Sequence, residues 1–297
     1  MKVTVLYGGP SAEREVSLVS GKAVAAGLRE AGHTVTDIDV RPESLDDALA
    51  KSADVIFPVL HGTWGEDGQL QAILESRKLK FVGSGSAASR LGMDKAATKM
   101  AWDKAGLPTP PYELVTKANP ITAITAPCAV KAVDSGSSVD VYICKTQADA
   151  DKALQTLLAK HGRALVERFV KGPELTVGLL EEVALAPIRI VPKVEFFDFE
   201  AKYKRNDTEH RFDTGLPADL IEKCQRLAEK GNAIVGARDL ARIDIMIDEK
   251  THQPYMLEIN TLPGFTSKSL LPEAAGHAGI KFPQLVDRLV KRAAARS

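Results

Sequence analysis

Between residues 3 and 82 the chain alternates short apolar runs with helical periodicity, and that rhythm restricts its first third to an open, mainly parallel sheet with helices on its faces. Residues 3–7 are an apolar run stopped by Gly8, Gly9 and Pro10. Val16, Val19, Ala23 and Ala26 follow at helical spacing, and Gly32 ends that helix. Residues 34–40 and 54–60 read as further strands, and 80–82 as the start of a fourth. The last two flank the loop HGTWGEDG and a helix over QLQAILES. GSGSAAS, residues 83–89, reads as a linker. Asp94 then caps a helix over 95–104, which stops at Gly106 and Pro108.

Beyond that point the rhythm changes. Residues 128–133, 164–170 and 174–180 are strands separated by turns, the mark of an α+β region with antiparallel pairing. Residues 242–248 and 255–260 read as a strand pair, and about 283–296 as a closing helix. Residues 192–215 lack a clear period and read largely as a long loop of the kind that covers binding sites. A length of 297 residues suits two domains or three small ones. Lys and Arg number 39 and Asp and Glu 39, so no charge surplus points to nucleic acid or a membrane surface. Cys128, Cys144 and Cys224 form no CxxC pair, which argues against a disulfide framework or zinc site. No apolar stretch approaches the roughly 20 residues of a membrane span, and the N-terminus lacks a signal-peptide pattern, so the expected location is the cytoplasm.

The sharpest chemical signal is the last strand pair. In RIDIMID, Arg242 and Asp244 share one face; in LEIN, Glu258 and Asn260 share one face. A hairpin joining them gathers two carboxylates and an amide oxygen, hard ligands suited to magnesium. A hairpin with one solvated face would carry the same pattern, so the neighbours decide: the glycine-centred loop TLPGFTSKSL follows, and Arg242 brings a fork of donors for an oxyanion. Lys95 opens a helix, and Lys131 ends an apolar strand just before DSGSS, whose Gly136, Ser137 and Ser138 suit phosphate oxygens. The strand end at Glu167, Arg168, Phe169 and Val170 offers backbone groups to an adenine edge, with Glu174 placed for ribose hydroxyls, although an ordinary β-hairpin would look alike. In GGPSAEREVS no GxGxxG is present; Glu15 there either favours the helix dipole or receives a substrate ammonium. His61, directly after a parallel strand, either packs or lines the ligand crevice such sheets form.

Taken in order, GGPSAEREVSLVSG, HGTWGEDGQLQAILE, VGSGSAASRLGMDKAATK, GPELTVGLL, DFEAKY, ARIDIMID and EINTLPGFTSKSLLP resemble the D-alanine–D-alanine ligase family of the ATP-grasp superfamily over nearly the whole chain. The resemblance implies a three-domain ATP-grasp fold, α/β and α+β, with divisions at 1–88, 89–172 and 173–297 and ATP between the last two. It further implies that Lys95, Lys131 and Lys202 contact the phosphates, Glu167, Phe169 and Val170 the adenine, and Glu174 the ribose. Asp244, Glu258 and Asn260 would hold two magnesium ions, with manganese as a substitute. Glu15 would take the ammonium of the first D-alanine, with His61 nearby. Arg242, Gly264, Ser269 and Leu270 would hold the second amino acid and the oxyanion. Ser137 and Tyr203 would link with Glu15 as a lid over 196–214 closes and keeps water from an acyl phosphate. A homodimer belongs to the same implication. A ligase for another dipeptide or for D-alanyl-D-lactate, and a nucleotide-binding protein without catalysis, are the alternatives. Three departures bear on the phosphate loop and the lid: Ala132 stands where the family has proline, Asp140 where it has glycine, and His210 where tyrosine is common.

Overall fold

The computed structural model describes residues 1–50, 52–136, 139–191, 208–266 and 268–296. In the first sheet β1 (Lys2–Gly8), β2 (Thr34–Val40) and β3 (Val55–Pro58) run parallel in the order β2-β1-β3. Alternation along β1 feeds two cores. Val3, Val5 and Tyr7 face α1 (Arg14–Glu30), while Leu6 joins the layer of α2 (Leu45–Leu49) and α3 (Gln69–Ser76). The expected fourth strand is reduced to a single parallel bridge between Ile56 and Phe81. The expected linker at 83–89 is half helix, because Ser86 opens α4 (Ser86–Met93). Asp94 then caps α5 (Lys95–Lys104) by accepting from the Ala97 N–H.

The second sheet is antiparallel: β4 (Tyr112–Thr116), β5 (Cys128–Lys131), β6 (Val141–Cys144) and β7 (Arg163–Arg168) lie in the order β4-β7-β5-β6. α6 (Gln147–His161) covers one face through Ala150, Ala153, Leu157 and Leu158. The opposite face, through Leu165, Val133 and Tyr112, meets Ala96 of α5.

The third sheet holds β8 (Glu174–Leu180), β9 (Val183–Ala184), β10 (Ile188–Val191), β11 (Glu209–Arg211), β12 (Leu240–Ile247) and β13 (Pro254–Asn260). Its order is β11-β10-β8-β12-β13, with β9 on β8. α7 (Ala218–Val235) buries Leu220, Cys224, Ala228 and Val235 against it, and Trp102 of α5 joins the same core. The tail of the expected loop 192–215 therefore contains a strand, β11, registered with β10; residues 192–207, with Lys202 and Tyr203, lie outside the described residues. α8 (Leu270–His277) packs on β8, whereas α9 (Phe282–Ala295) inserts Leu285, Val286, Leu289 and Val290 beside Val24 and Leu28 of α1. The chain's last helix thus completes the layer over its first sheet.

Candidate active site

Three groups of polar side chains meet where the sheets converge. The first belongs to the hairpin of β12 and β13. Its antiparallel register puts Asp244 opposite Glu258 and Arg242 opposite Asn260. Directly opposed residues share a face, and the four side chains are gathered because a β-bulge between Asp244 and Ile245 shifts the register; unbroken alternation from Ile245 opposite Met256 would have set Asp244 against Leu257. Asp244 is buried; its Oδ1 accepts from Thr176 Oγ1 at 2.6 Å and from Arg242 Nε at 2.9 Å, and its Oδ2 from Arg242 Nη2 at 2.9 Å. Arg242 therefore spends two of its five donors on Asp244, an arrangement the expected oxyanion role left out. Asn260 Oδ1 accepts from the Leu262 N–H at 2.9 Å. Glu258 lies 3.5 Å from Lys95 Nζ.

α5 supplies the second group. Lys95 and Lys99, four residues apart, share one helix face. Lys95 Nζ donates to the Ser135 carbonyl at 2.5 Å, at the start of the glycine-containing turn. Lys131 Nζ donates to Glu167 Oε2 at 2.8 Å, and Lys99 Nζ stands 3.2 Å from Oε1 of the same carboxylate. Glu167 is only 1% exposed, so its carboxylate serves the lysines rather than solvent. The segment beyond it holds exposed Arg168, half-buried Phe169 and buried Val170, then half-buried Glu174 at the start of β8. Burial pushes Glu167 up, but the charges of Lys131 and Lys99 outweigh it and hold the carboxyl below its usual value. Burial pulls Lys131 down, yet Glu167, Glu258 and Glu174 leave it raised. The one sign of Lys99 in the sequence is its i, i+4 spacing from Lys95.

The third group comes from the C-terminal edge of the parallel sheet. His61 is 5% exposed and Glu66 8%, with His61 Nδ1 3.9 Å from Glu66 Oε2; His61 Nε2 and Glu66 Oε2 have no hydrogen-bond partner. A methyl group at Gly136 would stand 3.0 Å from Glu13 Oε2 and 3.4 Å from Glu66 Oε1, and one at Gly62 2.7 Å from Glu13 Oε2. The carboxylates of Glu13 and Glu66 therefore face the turn that carries Gly136. Glu15, the residue expected to receive the ammonium, is exposed. Glu13, at the N-cap of α1, is the acid of this helix end whose carboxylate lies against Gly62 and Gly136.

The loop after β13 closes the group. The Phe265 N–H donates to Ser20 Oγ at 3.3 Å, and Phe265 itself packs in the core beneath β1 and β3. Ser269 Oγ accepts from the Thr266 N–H at 3.0 Å and would lie 3.2 Å from a methyl group at Gly264; Leu270 begins α8. Ser137 lies outside the described residues.

The departures noted in the sequence have local answers. Asp140 adopts φ +58°, the left-handed region that a glycine favours and that Asp tolerates better than most. Its carboxylate meets Lys160 and His161, both at 2.7 Å, so its charge is neutralised on α6 rather than presented to the turn. Burial opposes ionisation, but those hydrogen bonds hold Asp140 below its usual value. Ala132 is buried, its N–H donating to the Asp140 carbonyl at 2.9 Å. His210 Nδ1 pairs with Glu273 Oε2 at 2.6 Å, joining β11 to α8.

Two family models match the chain. One described as the D-ala D-ala ligase C-terminus matches residues 101–291, and one described as the D-ala D-ala ligase N-terminus matches 39–84. The chain belongs to the D-alanine–D-alanine ligase family. It is 40% identical to the D-alanine–D-alanine ligase of Gloeobacter violaceus, over 98% of this chain and 99% of the relative. It is 42% identical to that of Gluconobacter oxydans over the full length of both. Among solved structures it resembles a Bacillus anthracis D-alanine–D-alanine ligase complexed with ATP, with TM-score 0.86 and 29% identity over 99% of this chain and 97% of that one. The ATP-grasp architecture expected from the sequence is the one this family member has.

Proposed function

We propose that this chain joins two D-alanines into D-alanyl-D-alanine at the expense of ATP, through a D-alanyl phosphate, for peptidoglycan precursor synthesis. The observation that carries the reading is the juxtaposition at Gly136: carboxylates from the parallel sheet lie on one side of its turn and Lys95 reaches Ser135 on the same turn. A site for an ammonium group thus adjoins a site for phosphates, and the carboxyl group of one small zwitterion is brought to the nucleotide.

Each group of residues then has a part. Lys95 and Lys131 hold the phosphate oxygens and stabilise the charge spread over the transferring phosphoryl group; Lys202 adds a third cation. The segment 167–170 receives the adenine and Glu174 the ribose. Glu13, with Glu66 and His61, binds the ammonium of the first D-alanine and orients its carboxylate. The unpartnered His61 Nε2 and Glu66 Oε2 support this, because buried polar atoms without partners are rare in folded proteins and await a ligand. Arg242 and the Gly264 N–H stabilise the oxyanion that forms when the second amine attacks, and Ser269 and Leu270 position that amino acid. Ser137 and Tyr203 join these residues in catalysis.

Asp244, Glu258 and Asn260 fit magnesium: they are hard oxygen donors on one hairpin face, and Lys95 beside Glu258 brings a phosphate ligand to the same place. When bound, two magnesium ions, or manganese, neutralise the phosphate oxygens and favour phosphoryl transfer. The three sheets support units near 1–88, 89–172 and 173–297, with α5 and α9 packing across those limits. No helix among the described residues is long and apolar enough to cross a membrane; a cytoplasmic homodimer that binds small molecules and neither nucleic acid nor membrane completes the proposal.

The test is phosphate release from ATP across D- and L-amino acids and D-lactate, with products identified by mass. D-alanyl-D-alanine formed with one phosphate per peptide is the expected result. Phosphate release indifferent to D-alanine, or a different product preferred over it, would refute the reading.

A further inference from the structure

Lys99 is among the largest fully buried side chains, at 0% exposure, yet the chemistry above does not use it. It lies between two partners. Toward the central sheet its Nζ is 3.2 Å from Glu167 Oε1, an ion pair without a well-directed hydrogen bond, and 5.9 Å from the Tyr112 ring centroid. Toward the C-terminal sheet it donates to Thr109 Oγ1 at 2.7 Å, and Thr109 donates to the Met256 carbonyl at 3.0 Å. Met256 precedes Glu258 by two residues on β13, and its N–H donates to the Pro108 carbonyl at 2.9 Å. Lys99 therefore ties the strand of Glu167 to the strand that carries the expected metal ligands.

The charge arrangement is as informative as the geometry. Glu167 with Lys131 alone would form a neutral buried pair. Lys99 adds a second cation to one carboxylate, so the triad of Glu167, Lys131 and Lys99 carries one positive charge in excess, unfavourable in a buried place unless it is answered by the more distant Glu258 and Glu174 and by a bound anion. An apolar side chain of similar length would fill the volume without that penalty. The end of the cluster nearest solvent is Lys131, whose side chain is 11% exposed against 0% for Lys99. Glu258, itself beside Lys95, and Glu174 act on Lys131 from β13 and β8. Burial, with the like charge of Lys131 added and Glu167 opposing, brings Lys99 down to about 8.

We propose that Lys99 is a positioning residue for nucleotide binding: by sharing Glu167 it keeps the charge of Lys131 available to the phosphates, and through Thr109 it holds that lysine in register with the strand of Glu258. The proposal rests on the reading of Lys131 as a phosphate-binding lysine. It makes the net charge of the cluster, not the presence of any one side chain, the quantity that ATP affinity follows.

Titration calorimetry with ATP and with adenosine, on the full chain below its unfolding temperature, tests this with three variants. Lys131→Met should weaken ATP binding while leaving adenosine unaffected. Lys99→Met, which leaves Glu167 to neutralise Lys131, should weaken ATP by about tenfold and adenosine by less than about twofold. Lys99→Met combined with Glu167→Gln restores the surplus charge and should recover most of that loss. Equal losses for ATP and adenosine, or a double variant weaker than Lys99→Met, would mean that Lys99 only supports the fold. Normal ATP binding by Lys131→Met would remove the reading on which the proposal stands; a loss there with none in Lys99→Met would overturn the proposal alone. If Lys99→Met does not fold, Lys99→Arg keeps the charge: ATP affinity within about threefold of the parent supports the proposal and a tenfold loss defeats it.

Discussion

Replacing Glu13 with Gln keeps the side chain's shape and removes the charge that lies against Gly62 and Gly136. Two charges about 4 Å apart at a partly buried surface attract by about 4 kcal/mol at an effective dielectric near 20. Part of that attraction is lost to desolvation, and measured hydrogen bonds to charged groups contribute about 1.5–3 kcal/mol net. Half-buried Glu13 shares its side of the site with buried Glu66, which places the expected loss in the lower half of that range. An affinity lower by about 2 kcal/mol is a factor of about 30. The reaction consumes two D-alanines, so phosphate release against D-alanine concentration carries two KM values. Glu13→Gln should raise the one belonging to the first D-alanine by about 30-fold, with the KM for ATP within about twofold. Glu15→Gln, at an exposed position of the first helical turn, should change neither by more than about twofold. If Glu15→Gln loses as much as Glu13→Gln, or if only Glu15→Gln loses activity, the assignment of the ammonium site to Glu13 is wrong.

Glu258→Gln should abolish turnover at ordinary magnesium while circular dichroism and melting stay near the parent's, since Glu258 is partly exposed and outside the apolar cores; a near-normal rate would defeat the metal assignment. Glu167→Gln should lower stability by about 3–5 kcal/mol in urea unfolding, because it strands Lys99 and Lys131 without their shared counter-charge. The native pKa of Glu167 is depressed, so its contribution is fully present above the unfolded value near 4.3 and disappears as pH falls through the lower native one. The gap between parent and Glu167→Gln should therefore hold from pH 7 to about 5 and narrow below about 4; a constant gap down to pH 3 would contradict the charge pairing. Asp140→Gly relieves the left-handed backbone but removes the contacts to Lys160 and His161, so stability should move by less than about 1 kcal/mol, read from the urea midpoint.

Some of the site follows from periodicity alone. Arg242 and Asp244 share a face of β12, and Glu258 and Asn260 a face of β13, because side chains alternate with period two; that the two pairs meet is decided by the β-bulge between Asp244 and Ile245, which alternation does not foretell. The capped helix that begins at Lys95 was legible for the same local reason: Asp94 satisfies an orphan N–H at its start. Glu13 and Glu15 show the limit of such reasoning. Two residues apart at a helix start, they point in widely different directions, and which one faces the ligand depends on how α1 sits against β3 and the turn at Gly136. Lys99 is a second case: as sequence it is one more lysine on a helix, where solvent is the usual destination. Only the docking of α5 between the central and C-terminal sheets buries it against Glu167. Local spacing determined which residues of a single element share a face. The packing of distant elements decided which faces are dry, and burial is what turns an ordinary lysine or carboxylate into part of a site, because a charge removed from water must find a partner.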